Sequence, residues 1–225
     1  MKKIIVMLAV TAMLALSMPG QGFFNLNFEA AYNLPANPPF PSGELVPAAN
    51  ALPDWIAYGG DTVLSSINYA SNDISGVRTL VELEGGSLAL SGSFSVGLFL
   101  DSSISQTAEV PADAESLEIE AGGPGGEGSL DGSDLTVTLD GKALSFSALS
   151  EGPNYTVYGA NIPANMEGQI ESLIFSCQGV GSGNILLDNM EFSPTSVPEP
   201  SECALAGLGA ILFAVGRRRK RLANQ

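Results

Sequence analysis

Between residues 23 and 194 of its 225, the sequence predicts an all-β fold, an antiparallel β-sandwich or jelly roll. Three observations predict it. Apolar residues recur at every second position in run after run, the spacing of a half-buried strand. The runs are short and separated by Gly, Pro, Asn and Asp, the residues of turns. Almost no stretch of this body carries apolar residues at the three- and four-residue spacing of an amphipathic helix.

Taken in order, the body opens with Phe24-Asn25-Leu26-Asn27-Phe28-Glu29, then an ordered loop from Tyr32 to Pro53 containing Pro35, Pro38, Pro39, Pro41, Pro47 and Pro53. Leu52 to Tyr58 follows and holds the single tryptophan, Trp55. Leu88, Leu90, Phe94, Val96, Leu98 and Leu100 share one parity, with Ser and Gly mostly opposite, and predict a long strand region. Leu117 and Ile119 alternate with Glu118 and Glu120. Leu135, Val137 and Leu139 alternate with Thr136 and Thr138, and Asp140-Gly141 marks a tight hairpin into Leu144, Phe146 and Ala148. Tyr155–Tyr158, Leu173–Phe175 and Ile185–Phe192 complete the set, and no internal repeat is visible.

Charge and composition exclude several functions. The chain has a formal net charge of −15, with nine basic residues against 24 acidic ones. Only Arg78 and Lys142 lie in the body; Lys2 and Lys3 open the chain and Arg217, Arg218, Arg219, Lys220 and Arg221 close it. A body so acidic repels phosphate backbones, so nucleic acid is not an expected partner. There is no histidine, which removes the commonest general base, the imidazole metal ligand and the Ser-His and Cys-His pairs. Of the two cysteines, Cys177 alternates with Leu173 and Phe175 and reads as a small core residue, while Cys203 lies in the terminal apolar stretch.

The ends carry processing signals. Residues 1–22 read as a secretory signal peptide: Lys2 and Lys3 form the basic n-region and Ile4 to Leu16 the apolar h-region. Cleavage is expected after Gly22, with Gly20 at the −3 position, implying the Sec translocon and signal peptidase as partners. At the other end, residues 195–225 begin with a proline-stiffened linker, Thr195 to Ser201, expected to be solvated. An apolar stretch from Cys203 to Gly216 follows and stops at the basic cluster 217–221. As a helix, fourteen residues span about 21 Å, short of the roughly 30 Å hydrocarbon core unless arginines snorkel and the bilayer thins. The basic block is expected on the cytoplasmic side, leaving the body outside. The body is thus flanked by an N-terminal signal helix and a C-terminal transmembrane helix over residues 202–216.

The order Val197-Pro198-Glu199-Pro200-Ser201, short Gly/Ala-rich helix and arginine cluster resembles the PEP-CTERM protein-sorting domain over Val197 to about Leu222. Glu202-Cys203 departs from the small or hydroxyl residues usual there, although an acid suits the positive end of a helix dipole. The resemblance implies recognition by an exosortase, a membrane transpeptidase-like enzyme, and cleavage near Pro198-Glu199-Pro200. It also implies a Gram-negative-type bacterium that makes extracellular polysaccharide.

The body resembles galactose-binding-like jelly rolls, the fold of many carbohydrate-binding modules. The likeness rests on Phe24 to Glu29, on Asp54-Trp55, and on Asn184 to Phe192 as closing strand. Asp188 shares parity with Leu186, Met190 and Phe192, so strict alternation points it inward, where a carboxylate needs a partner. In jelly rolls of this type a structural calcium often links first and last strands, and the resemblance makes Glu29 and Asp188 the matching carboxylates. The competing reading is an Asp188 that caps a turn or bulge.

Other patterns carry less. Gly123 to Gly128 matches G-x-G-x-x-G but lies between strand signals and opens no helix, so it reads as a loop. Asn154-Tyr155-Thr156 matches a glycosylation acceptor, a weak match in a bacterial protein. Glu109, Asp113, Glu115, Glu118 and Glu120 include no pair that spacing places across a cleft, and the last two read as a solvated strand face. Trp55, Tyr58, Tyr155 and Tyr158 are candidates for sugar stacking or for core packing. The expected function is a non-catalytic exported surface or matrix protein working by structure or adhesion. The alternative is a carbohydrate-binding module of the exopolysaccharide matrix, and a carboxylate-based hydrolase ranks last.

Overall fold

The alternating runs become strands, and their apolar parity becomes one shared core. The structure, a computed structural model, describes residues 22–36, 38, 43–70, 81–86, 89–122, 135–178 and 185–198. The signal segment before Gly22, Glu199-Pro200-Ser201, the expected membrane helix and the basic cluster 217–221 lie outside the described residues, as does the Gly123–Gly128 loop.

Chain order is β1 (Glu44–Pro47), a one-turn helix α1 (Ala48–Ala51), β2 (Ile56–Gly59), β3 (Thr62–Val63), β4 (Ser66–Tyr69), β5 (Val81–Gly85) and β6 (Phe94–Leu98). Then come β7 (Ser102–Glu109), β8 (Ser116–Gly122), β9 (Leu135–Leu139), β10 (Lys142–Ala143), β11 (Ser147–Glu151) and β12 (Thr156–Asn161). A 3-10 turn (Ala164–Met166), β13 (Ile170–Cys177) and β14 (Ile185–Ser193) complete it. An eight-stranded sheet runs β1-β4-β5-β6-β14-β8-β12-β11, and a six-stranded sheet runs β10-β9-β13-β7-β2-β3. Among the named strands every pairing is antiparallel except β4 with β5, where Asn68 faces Glu82 and Tyr69 faces Leu83 in parallel; an isolated parallel bridge joins Gly22 to Glu109. One hydrophobic cluster draws on both sheets, an arrangement consistent with a β-sandwich.

The parity rule holds where strands are long and regular. Leu117, Ile119 and Ala121 of β8 are buried in the core while Glu118 and Glu120 face away, and Leu173, Phe175 and Cys177 of β13 do the same against Ser172 and Ser176. Burying a side chain of this size contributes about 1.5–3 kcal/mol. Trp55 stands between Phe28 and Phe175, with ring centroids 5.8 and 6.1 Å away. Its indole N–H donates to the Asn25 carbonyl at 3.1 Å, which satisfies the one polar atom it brings inside. The expected hairpin forms at Asp140 and Gly141, both at positive φ (49° and 70°), and returns the chain with Lys142 opposite Leu139.

Four expectations are corrected. The stretch 32–53 is not all loop, since β1 and α1 lie in it and the Val46 and Ala51 side chains enter the core. The run from Leu88 to Leu100 is not one strand: among its described residues only Phe94–Leu98 form a strand, and Leu100 is 43% exposed in a turn. Ser91 to Ser93 bend, with Gly92 at φ 56°, so Leu90 leaves the ladder and lies against Gly122 on the outer side of the eight-stranded sheet. The hairpin ladder ends at Leu144, whose N–H donates to the Val137 carbonyl at 2.9 Å; Leu144 and Phe146 then pack on the core as the chain crosses to the other sheet and enters β11. Finally, Asp188 does not point between the sheets. A bulge sets three residues, Asp188 to Met190, against two on β8, with Asn189 at φ 39°. The extra residue reverses the parity, so Ile185, Leu187 and Met190 join the core while Leu186 and Asp188 lie on the outer face.

Candidate functional site

The bulge makes Asp188 a buried outer-face carboxylate, only 1% exposed, beneath the segment that Leu90 begins. Its Oδ2 accepts from the Ser95 hydroxyl at 2.7 Å and the Ser91 N–H at 3.2 Å, and its Oδ1 accepts from the Asn189 N–H at 2.7 Å. Burial pushes its carboxyl up from 3.8 to about 6; the hydrogen bonds from Ser95, Asn189 and Ser91 pull the other way, and the charge of Glu120 adds to the rise. Glu120 faces Asp188 across the ladder. Glu120 also holds the Tyr155 hydroxyl above its ordinary range, by its charge first, then burial and the hydrogen bond between them.

Glu29 serves the same segment from the surface. Its Oε1 accepts from Ser93 N–H at 2.6 Å and Phe94 N–H at 3.0 Å, and a Cβ at Gly92 would overlap that oxygen. The two carboxylates paired from sequence therefore hold the same segment, Asp188 at residues 91 and 95 and Glu29 at residues 93 and 94 between them. A calcium ion takes roughly six to eight oxygens. Among the described residues no group of three or more Asp, Glu or Cys side chains could hold a metal ion, and the oxygens of Glu29 and Asp188 named above already accept protein donors. The contacts these two carboxylates do make form a hydrogen-bonded splice around residues 91–95.

Both ends of the described body are held by an amide side chain that bonds the N–H and C=O of a single residue, as a neighbouring strand would. Gln106 accepts from Phe24 N–H at 2.7 Å and donates to Phe24 C=O at 2.9 Å. Asn161 accepts from Val197 N–H at 2.6 Å and donates to Val197 C=O at 3.0 Å. Val197, the first residue of the motif read from sequence, is buried at 7% exposure, and its side chain fills the space over Gly159 beside Leu149. The segment is thus docked on the body at Val197, while Thr195, Ser196 and Pro198 on either side stay exposed, as expected of a solvated linker. Pro198 borders a cavity of about 370 Å³ next to Asn161 and Pro163. Neither clamp has a local signature; the amides stand 82 and 36 residues from the backbone they hold.

The outer faces of the two sheets differ in charge. The eight-stranded sheet presents Glu118, Glu120 and Glu191 around a groove of about 550 Å³ that Phe23, Phe24 and Asn25 also line. The six-stranded sheet presents one row of hydroxyls, Tyr58, Ser103, Ser176 and Thr136 side by side on four strands, and next to it a mixed row of Ile56, Ser105, Ile174 and Thr138. A shallow groove of about 750 Å³ runs along this face, with acids only at one end, Asp61 and Asp101. Of the aromatic candidates, Trp55 and Tyr158 are core residues, while Tyr58 and Tyr155 are partly accessible. Comparison with known protein families, curated proteins and solved structures yields no match for this chain.

Proposed function

We infer that this chain is an exported, non-catalytic surface or matrix protein delivered through its C-terminal tail. One observation carries the reading: the motif Val197-Pro198-Glu199-Pro200-Ser201 follows directly on the closing strand, ahead of an apolar stretch and the basic cluster 217–221. The signal segment 1–22 takes the body across the membrane through the Sec translocon, signal peptidase frees its N-terminus, and an exosortase acts on the tail. The jelly-roll reading of the body is supported by the way the chain passes repeatedly between the two sheets and closes on β14 in the middle of one. An affinity tag placed after Gln225 tests the sorting step. It is lost from the exported protein in cells that carry an exosortase and kept when that gene is deleted; a tag kept in both defeats the reading.

The hydroxyl row favours a second reading, binding of a neutral extracellular polysaccharide on the six-stranded sheet. Strands about 4.8 Å apart set those hydroxyls in a flat array beside Tyr58. In a chain of net charge −15, this face lets an uncharged polymer approach without desolvating carboxylates. Retention on a panel of immobilised neutral glycans, lost on Tyr58→Ala, checks it; no retention on any of them counts against it.

A further inference from the structure

The tail does not leave the body at the end of its last strand. After Ser193, whose carbonyl accepts from Glu115 N–H at 2.8 Å, the Thr195 carbonyl accepts from the Ser116 hydroxyl at 2.7 Å. Two residues on, Asn161 grips both backbone groups of Val197. A side chain at Gly159 would collide with Val197 Cγ2 and Leu149 Cδ1, both 2.7 Å from where its Cβ would stand, so the glycine leaves the socket that the valine fills. Backbone held in this way is poorly accessible to a peptidase, which needs an extended segment free on both sides.

We propose that Asn161 is a positioning residue for tail processing: by docking Val197 it fixes the first accessible peptide bond on the C-terminal side of that residue, so the mature body keeps Val197. This rests on the reading of the tail as a sorting signal. In the step itself one peptide C–N bond breaks, the acyl carbon passes to water or to an amine acceptor, and the tail leaves with a new amino terminus. Neither Asn161 nor Gly159 takes part in that chemistry; together they decide which bond is offered.

The full chain, expressed in cells that carry an exosortase, is recovered after processing and its C-terminal residue read by mass spectrometry. The wild-type product is expected to end at a single position at or beyond Val197. Asn161→Ala is expected to give a ragged set of ends, some between Ser193 and Val197, with a melting temperature close to wild type. Gly159→Ser, which blocks the socket instead of the clamp, is expected to give the same raggedness. A wild-type product ending before Val197, or an Asn161→Ala product with the wild-type end, overturns the positioning role and leaves the sorting reading standing. A wild-type chain that keeps its whole tail overturns the sorting reading, and the positioning role falls with it.

Discussion

Replacing Asp188 by Asn isolates what one buried carboxylate does to this fold. Its carboxyl is pushed from 3.8 up to about 6, so the folded protein binds that proton more tightly than the unfolded chain does. A raised carboxylate lends stability when protonated and loses it as pH rises through the folded value. At about 1.36 kcal/mol per pKa unit, the ionised form costs the fold about 3 kcal/mol at neutral pH. Between pH 7.5 and pH 5.0 about 1.4 kcal/mol of this is recovered by protonation. The Asp188→Asn protein has no proton to bind there. Its amide oxygen can keep the Ser91 and Ser95 donors or the Asn189 N–H, but not all three, a loss of about 1–3 kcal/mol that offsets the relief of a buried charge. The two proteins are therefore close in stability at pH 7.5. Urea unfolding at both pH values supplies the assay, since the other carboxylates cancel in the difference between wild type and variant. That difference is expected to move by about 1.4 kcal/mol in favour of wild type on going to pH 5.0, or about 3–6 °C in melting temperature. A difference that stays flat between the two pH values, or moves the other way, refutes the burial argument.

Three further outcomes follow from named contacts. Gly122→Ala brings a Cβ to 2.6 Å from the Asn154 carbonyl and 3.0 Å from Leu90, and is expected to cost about 1–3 kcal/mol in urea unfolding; Gly141→Ala, with φ 70° but open space around it, costs only the backbone strain of about 1–2 kcal/mol. Trp55→Phe removes the indole bond, leaves the Asn25 carbonyl only the Phe28 N–H at 3.3 Å, and shrinks a core ring; it is expected to lose about 1–3 kcal/mol. In the wild type this single tryptophan, 5% exposed, is expected to emit at short wavelength and to shift to the red on unfolding. Gln106→Ala is expected to speed hydrogen exchange at the Phe24 amide while β8 and β13 keep their protection, a local opening readable by mass spectrometry.

Much of this architecture is legible in the chain because it is local. Leu117, Ile119 and Ala121 alternate on a strand whose neighbours add nothing irregular, and Asp140-Gly141 meets the backbone demand of its turn from two adjacent residues. What escapes is whatever depends on residues far away. Counting parity along Leu186, Asp188 and Met190 fails because the register with β8 slips by one residue, and that slip is a property of the pair of strands. Leu90 looks like a core residue, since an apolar side chain covering the outer face obeys the same period as one facing inward. The carboxylates Glu29 and Asp188 are found in the right neighbourhood, but apart from the Ser95 hydroxyl their partners are backbone N–H groups, of Ser91, Ser93, Phe94 and Asn189, and no side-chain pattern announces those. Asn161 and Gln106 each occupy an unremarked position in a strand, and only the fold brings a terminal segment under them.

The place of β14 has a mechanical consequence. Its first half is laddered to β6 and its length to β8, and beyond the bulge the Met190 N–H donates to Leu26 while Phe192 stacks on Phe23 at 5.0 Å. A pull on the chain at Pro198 meets the Asn161 clamp first and the Ser116 hydroxyl second, and only then reaches this central strand. Drawing β14 out lengthwise would shear many backbone hydrogen bonds at once on two flanks, where an edge strand would peel away one bond at a time. Whatever draws on the segment after Val197 thus draws on the body through its most firmly seated strand.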